Sequence, residues 1–158
     1  MENKNIVKKI TKKELFKEQE EVKVTKIKPE KNVNNDFSEM ISKLNTSSIQ
    51  VHIFHWQVKG QGSHAAHEAF GSYYEAIPGL IDALVESYQG KYGVLTGYST
   101  MGLMEYESCD KIINYFVALD TFIEQARAKC PQDSYIQNQI DGIQELIYST
   151  MYKLKFLN

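Results

Sequence analysis

The chain has 158 residues, of which 42% are hydrophobic, and a formal net charge of −2. This length suits one domain with a sizeable core. No stretch approaches the roughly 20 apolar residues that a membrane span needs, and the basic N-terminus lacks the apolar run of a secretory signal. We therefore expect a soluble cytoplasmic protein with no membrane partner, or a virion protein if the Lys-, Asn- and Ile-rich composition reflects a phage source.

Charge is distributed unevenly along the chain. Residues 1–31 contain ten Lys and six Glu, so they carry +4 and the remaining residues carry −6. We interpret residues 1–35 as a Lys-rich N-terminal extension and linker, and residues 36–158 as one bundle of helices. A Lys-rich arm can contact DNA phosphates without reading sequence. The alternative is a solvated arm with no nucleic-acid partner.

The first half of the chain predicts two helices after the extension. The extension itself alternates Lys imperfectly with three apolar residues, Val22, Val24 and Ile27, a weak pattern for an extended segment. Helix one is predicted to begin at Asp36 or Ser38, both favourable N-cap residues, and to end near Lys59 before a Gly-rich break. Helix two is predicted from Ser63 to about Gln89. Its apolar face has helical spacing and comprises Phe70, Tyr74, Ile77, Ile81, Leu84 and Tyr88.

The second half predicts two more helices after a long connection. Residues 94–107 are too many for a simple hairpin, so they are expected to cross the bundle, with at most one short helix. Helix three is predicted over about 107–129 and helix four from Asp133 or Ser134 to the end. Two cysteines, Cys109 and Cys130, form no CxxC pair and are expected to be reduced core residues. The fold predicted is all-α, a ferritin-like four-helix bundle with a long crossover between helices two and three.

Histidines and acids form the pattern with most chemical content. The four histidines all lie between positions 52 and 67, and Asp82 and Glu86 share one helical face further along helix two. Imidazole and carboxylate together suit iron or zinc. His67 and Asp82 are separated by roughly 20 Å of helix, so they can share an ion only between two copies of the chain. No histidine follows His67, which excludes a Glu-x-x-His di-iron site within one bundle.

These residues resemble the Dps-type miniferritins. The resemblance rests on the run His55-Trp56-Gln57-Val58-Lys59-Gly60, on a His67-Glu68 pair 12 residues after His55, and on Asp82-xxx-Glu86. It is strong over residues 52–90 and looser over residues 36–158. It implies a homo-oligomer, a hollow dodecamer in that family, which oxidises Fe(II) with peroxide, stores the iron and limits peroxide damage.

The resemblance also implies roles for individual residues. His55 and His67 would bind iron from one subunit, and Asp82 and Glu86 from its neighbour, with Glu86 bridging. Trp56 would lie beside the iron as the catalytic residue that intercepts radicals.

Two departures from the family pattern keep other functions open. Gly71 stands where the family has an Asp ligand, and Pro78 interrupts helix two just before the acids. Both favour a structural or interaction protein on the same scaffold with a degenerate metal site. A third alternative is a dimer stabilised by Zn through all four histidines, His52, His55, His64 and His67.

Overall fold

A computed structural model describes residues 31–157, with side chains from residue 35 onward. The described part is all-α, and its four long helices pack together as predicted. They are α1 (Lys31–Gln57), α2 (Ser63–Tyr92), α3 (Cys109–Arg127) and α4 (Ser134–Phe156). The Lys-rich arm and its extended pattern lie outside the described residues. No helix in the described part is long and apolar enough to cross a membrane.

The helices form a closed ring of neighbours. α1 packs against α2, α2 against α4, α4 against α3, and α3 against α1. The core between them is almost entirely apolar, because each helix contributes buried residues at helical spacing. The largest side chains with no exposed surface include Phe37, Phe54, Phe70, Tyr73 and Phe116.

The connection between α2 and α3 is an extended strap along α1. Residues 93–108 contain no helix or strand. The strap advances in step with α1, since Ser99 N–H donates to Ser42 Oγ (3.0 Å) and Met104 N–H donates to Gln50 Oε1 (2.7 Å). Near the end of α1, Tyr106 N–H donates to Gln57 Oε1 (2.7 Å). The strap therefore starts α3 at the end of the bundle where α1 stops, as the predicted crossover requires. The short helix considered for this connection is absent from it.

Helix ends follow glycine and capping chemistry. Gly60 and Gly62 have φ of 96° and 76°, which supplies the turn between α1 and α2. Gly93, with φ of 92°, follows the last residue of α2. Ser108 caps α3 by accepting a hydrogen bond from Lys111 N–H (3.3 Å).

The start of α1 and the effect of Pro78 differ from the sequence prediction. α1 is already helical at Lys31, the first described residue, so neither Asp36 nor Ser38 is its N-cap. Ser38 lies inside the helix, where its hydroxyl donates to Asn35 O (3.0 Å) instead of capping an N–H group. α2 continues through Pro78, so the proline removes one hydrogen bond but does not break the helix.

Candidate functional site

His55 and His67 lie face to face across the α1–α2 contact. Their ring centroids are 3.6 Å apart and the planes differ by 24°. Each Nδ1 lies within hydrogen-bond distance of the other residue's backbone carbonyl, at 2.9 Å from His67 O and 3.0 Å from His55 O. Because a carbonyl oxygen only accepts, both Nδ1 atoms must carry the proton. In each neutral ring, Nε2 is then an unprotonated acceptor and a potential metal ligand.

The local fold explains this pairing. His55 lies in the last turn of α1, where backbone carbonyls lack the helical N–H partner that a continuing helix would supply. His67 lies in the second turn of α2 and satisfies one of these carbonyls from across the turn. The pair therefore joins the two helices whether or not a metal binds.

Three further aromatic rings extend the pair toward the surface. His52 stacks on Tyr74, with ring centroids 4.0 Å apart and planes 15° apart, and Trp56 lies 4.2 Å from the His52 ring. Tyr74 also contacts the His55 ring edge-on at 5.1 Å. We call His52, His55, Trp56, His67 and Tyr74 the aromatic cluster. Trp56 is its most accessible member, with 68% of its surface exposed, so the cluster has both a half-buried and a solvent-facing side.

Gly71 lies beside the His55 ring. A Cβ atom added at Gly71 would lie 3.6 Å from His55 Cε1 and 3.7 Å from its Nδ1. These are ordinary van der Waals distances, so a small side chain fits there. Gly71, where the sequence resemblance led us to expect an Asp ligand, is thus in direct contact distance of the His55 imidazole.

Asp82 and Glu86 lie elsewhere on α2. Both are exposed, and along the helix Asp82 is roughly 22 Å from His67. Asp82 borders a small open cavity of about 240 Å³, between α1 and α2, that Asn45 and Tyr98 also line. Within the described residues, no group of three or more His, Cys, Asp or Glu side chains is placed to hold a metal ion. Within one chain, His55 and His67 are therefore close to each other but far from Asp82 and Glu86. A site shared between two copies of the chain stays a prediction.

His64, the fourth histidine, is exposed in the first turn of α2. It does not take part in the ring contacts of the aromatic cluster. The zinc alternative with all four histidines would need a second copy to bring His64 into a site.

Sequence reasoning missed a groove between α1 and the strap. The groove has a volume of about 320 Å³ and is lined by Ile49, Tyr98, Met101 and Leu103, with Asn45 and Thr46 at its polar side. Buried Gln50 holds the strap in place, since its side-chain amide bonds both Met104 N–H and Met104 O (2.7 Å each). In the sequence, the only signal for this arrangement was Gln50, an amide residue on an otherwise apolar face of α1. A buried amide needs hydrogen-bond partners, which here come from the strap.

Asp133 and the two cysteines are titratable groups outside the aromatic cluster, and their contacts stabilise the fold. Asp133 accepts from Lys91 and from the Tyr92 hydroxyl, which lowers the pKa of this carboxyl. Burial raises the pKa of the Cys130 thiol to about 12, so it remains a neutral core group. Cys109 is half-buried and also reduced.

Comparison with known proteins overturns the miniferritin interpretation. A family model described as "Family of unknown function (DUF5856)" matches residues 55–154, which is more than half of the chain. No curated protein and no solved structure matches. The identification as a Dps-type miniferritin is therefore wrong, although the match contains His55, His67, Asp82 and Glu86.

Proposed function

We propose that this chain, which belongs to the DUF5856 family of unknown function, binds a divalent transition metal through His55 and His67. The observation that supports this is the pair of Nδ1-to-carbonyl hydrogen bonds. Metal-binding histidines commonly donate the other ring N–H to a backbone carbonyl, which fixes the tautomer and the ring orientation. Both rings here have that arrangement before any metal arrives.

The proposed site is half complete in one chain. Two imidazoles are fewer than the four ligands of a typical zinc centre or the larger set of iron. A second copy supplies the others, and Asp82 with Glu86 are the acids that we assign to that role. Both are exposed and one helical turn apart on α2, so a neighbour can reach them. In a twofold dimer the arrangement would create two equivalent sites.

Iron and zinc are both compatible with this ligand set. Fe(II) oxidation would be an additional activity of an iron-loaded oligomer. Trp56 lies in the aromatic cluster, in contact with His52, and is the residue that we assign to electron transfer or radical capture in that form. A structural zinc centre would need no such residue.

The test is metal binding by the full-length chain, first stripped of metal. Isothermal titration with Zn(II), and anaerobically with Fe(II), measures affinity and stoichiometry, while native mass measures assembly. His67→Phe keeps an aromatic ring for stacking and removes the ligand. We expect a loss of affinity of at least about tenfold, because loss of a group that only orients a ligand already costs about that much. His64→Phe is the matched control, because this histidine lies on the same helix outside the cluster.

The acids and the oxidation activity are tested separately. Asp82→Asn with Glu86→Gln should weaken binding in the oligomer while leaving the fold intact. Peroxide oxidation of Fe(II), followed optically, shows whether iron is a substrate. Equal affinities of wild type and His67→Phe for both metals would exclude the proposed function.

A protein-interaction function is the second candidate. Trp56 is the observation that favours it, because a large aromatic side chain 68% exposed is typical of an interface anchor. Failure to bind metal, together with an assembly state that changes on Trp56→Ala, would select this candidate.

A further inference from the structure

Three aromatic side chains lie exposed in a row along the outer face of α4. Tyr148, Tyr152 and Phe156 follow one another at intervals of four residues and are 53%, 56% and 70% exposed. Residues four apart share one helical face, and the ring centroids of Tyr152 and Phe156 are 5.4 Å apart. Single exposed aromatic residues are normal on protein surfaces, but a contiguous row of them marks an interaction surface.

Two charged residues flank this row on the same helical face. Glu145 precedes Tyr148 by three residues, Lys155 follows Tyr152 by three, and both are exposed. Within the part of the chain that the structure describes, neither takes part in an ion pair. About 15 Å of helix separates them, so they cannot pair with each other in one chain. We call Glu145, Tyr148, Tyr152, Lys155 and Phe156 the α4 stripe.

The α4 stripe is complementary to a second copy of itself. When two α4 helices lie antiparallel with Tyr148 opposite the other copy's Tyr152, the same register places Glu145 opposite Lys155. Both pairs fit one register because each has its midpoint at position 150, and a twofold axis repeats each pair. Parallel helices would instead place Glu145 against Glu145 and Lys155 against Lys155, and such like-charge contacts are unfavourable. The charge pattern therefore selects an antiparallel second copy.

The fold presents the α4 stripe outward and holds part of it in place. The opposite face of α4 is buried in the core through residues that include Ile147, Met151 and Leu154. The Tyr148 hydroxyl donates to Asp120 Oδ2 on α3 (2.7 Å), which restrains the ring. A restrained aromatic side chain loses little conformational freedom when a partner binds.

We propose that two copies of this chain associate through antiparallel contact of their α4 stripes. The contact uses a helix that carries none of the proposed metal ligands, so it does not depend on metal binding. The three aromatic residues expose roughly 350 Å² in each copy, taking roughly 200 Å² for a whole aromatic side chain. A standard stable interface buries about 800 Å² per partner. The dimer is therefore weak, with dissociation in the micromolar range or above.

Sedimentation equilibrium of the full-length chain tests the proposal, with a chelator present so that metal-dependent association is absent. At concentrations up to the sub-millimolar range we expect a monomer–dimer equilibrium. Glu145→Lys alone, or Lys155→Glu alone, replaces two attractive pairs with two repulsive ones, so each should raise the dissociation constant about tenfold or more. Glu39→Lys is the matched control, because it makes the same charge change at an exposed position of α1, across the bundle from α4.

Combining the two reversals tests the register. Glu145→Lys with Lys155→Glu in one chain restores opposite charges in both pairs, so dimerisation should return. An equimolar mixture of the two single variants should also dimerise, because each contact then brings Lys opposite Glu. Circular dichroism checks that every variant remains helical.

A wild type that stays monomeric over the whole concentration range would overturn the proposal. Single variants that dimerise as strongly as the wild type would also overturn it, because association would then use another surface. If neither combination restores dimerisation, the antiparallel register is wrong.

Discussion

Removing the two imidazoles separately and together measures whether His55 and His67 act as one unit in the metal-free protein. His67→Ala removes one hydrogen bond to the end of α1, worth about 0.5–1.5 kcal/mol net. It also removes a stacked ring contact worth about 0.5–1.5 kcal/mol. We therefore expect each single variant to lose about 1–3 kcal/mol of unfolding free energy. The double variant should lose less than their sum, because the stacking contact disappears in the first step.

The coupling free energy of this double-mutant cycle should be about 1 kcal/mol or slightly more. Urea unfolding monitored by circular dichroism in the presence of a chelator gives the four stabilities. Added metal at 100 times its dissociation constant should then stabilise only the wild type, by about 2.7 kcal/mol. Additive losses without metal would refute the claim that the rings form a structural pair. Equal metal effects on all four proteins would refute their role as ligands.

Three further predictions concern the strap, the buried thiol and the helix-interior proline. Gln50→Leu leaves Met104 N–H and O without their partner, which should cost about 2 kcal/mol in urea unfolding and speed hydrogen exchange in the strap; unchanged exchange would contradict this. Burial raises the pKa of Cys130 from 9.0 to about 12, so this thiol should resist a reagent that labels Cys109 at pH 8. Because the folded state favours the neutral thiol, the contribution of Cys130 to the free energy of unfolding should be complete below pH 9 and fall toward pH 12. Equal labelling of both thiols in folded protein would contradict this. Pro78→Ala should raise the melting temperature, since proline costs up to about 3 kcal/mol inside a helix; a fall would show that the proline is needed.

Helix identity was predictable because it is a local property. The buried residues of α2 repeat at spacings of three and four, and five of the six residues predicted for its apolar face are buried in the core. The exception is Tyr74, which contacts His52 and His55, while Tyr73 is the buried tyrosine. The start of α1 was less predictable. Ser38 is a good N-cap by residue type, but its hydroxyl donates a hydrogen bond to Asn35 O in the preceding turn. A serine hydroxyl bonds in this way, and does not cap, when the backbone before it is already helical.

The candidate site was predictable only in part. Both His55 and His67 were identified from their spacing, yet their mutual hydrogen bonds depend on how tightly the α1–α2 turn closes. The family match removed the resemblance as an argument for individual residue roles. Metal binding by His55 and His67 is now proposed on their hydrogen bonds. Helical spacing places side chains on a face, but it does not say which chemistry that face performs.

By itself, the sequence determined four amphipathic helices, a long crossover and a histidine pair at one end, because periodicity and turn residues act over a few positions. The tertiary structure decided how these parts meet. It turned both Nδ1 atoms of the pair toward backbone carbonyls, placed Asp82 and Glu86 on a remote exposed surface and laid the strap along α1. Such arrangements depend on contacts between residues far apart in the chain, which no local pattern specifies.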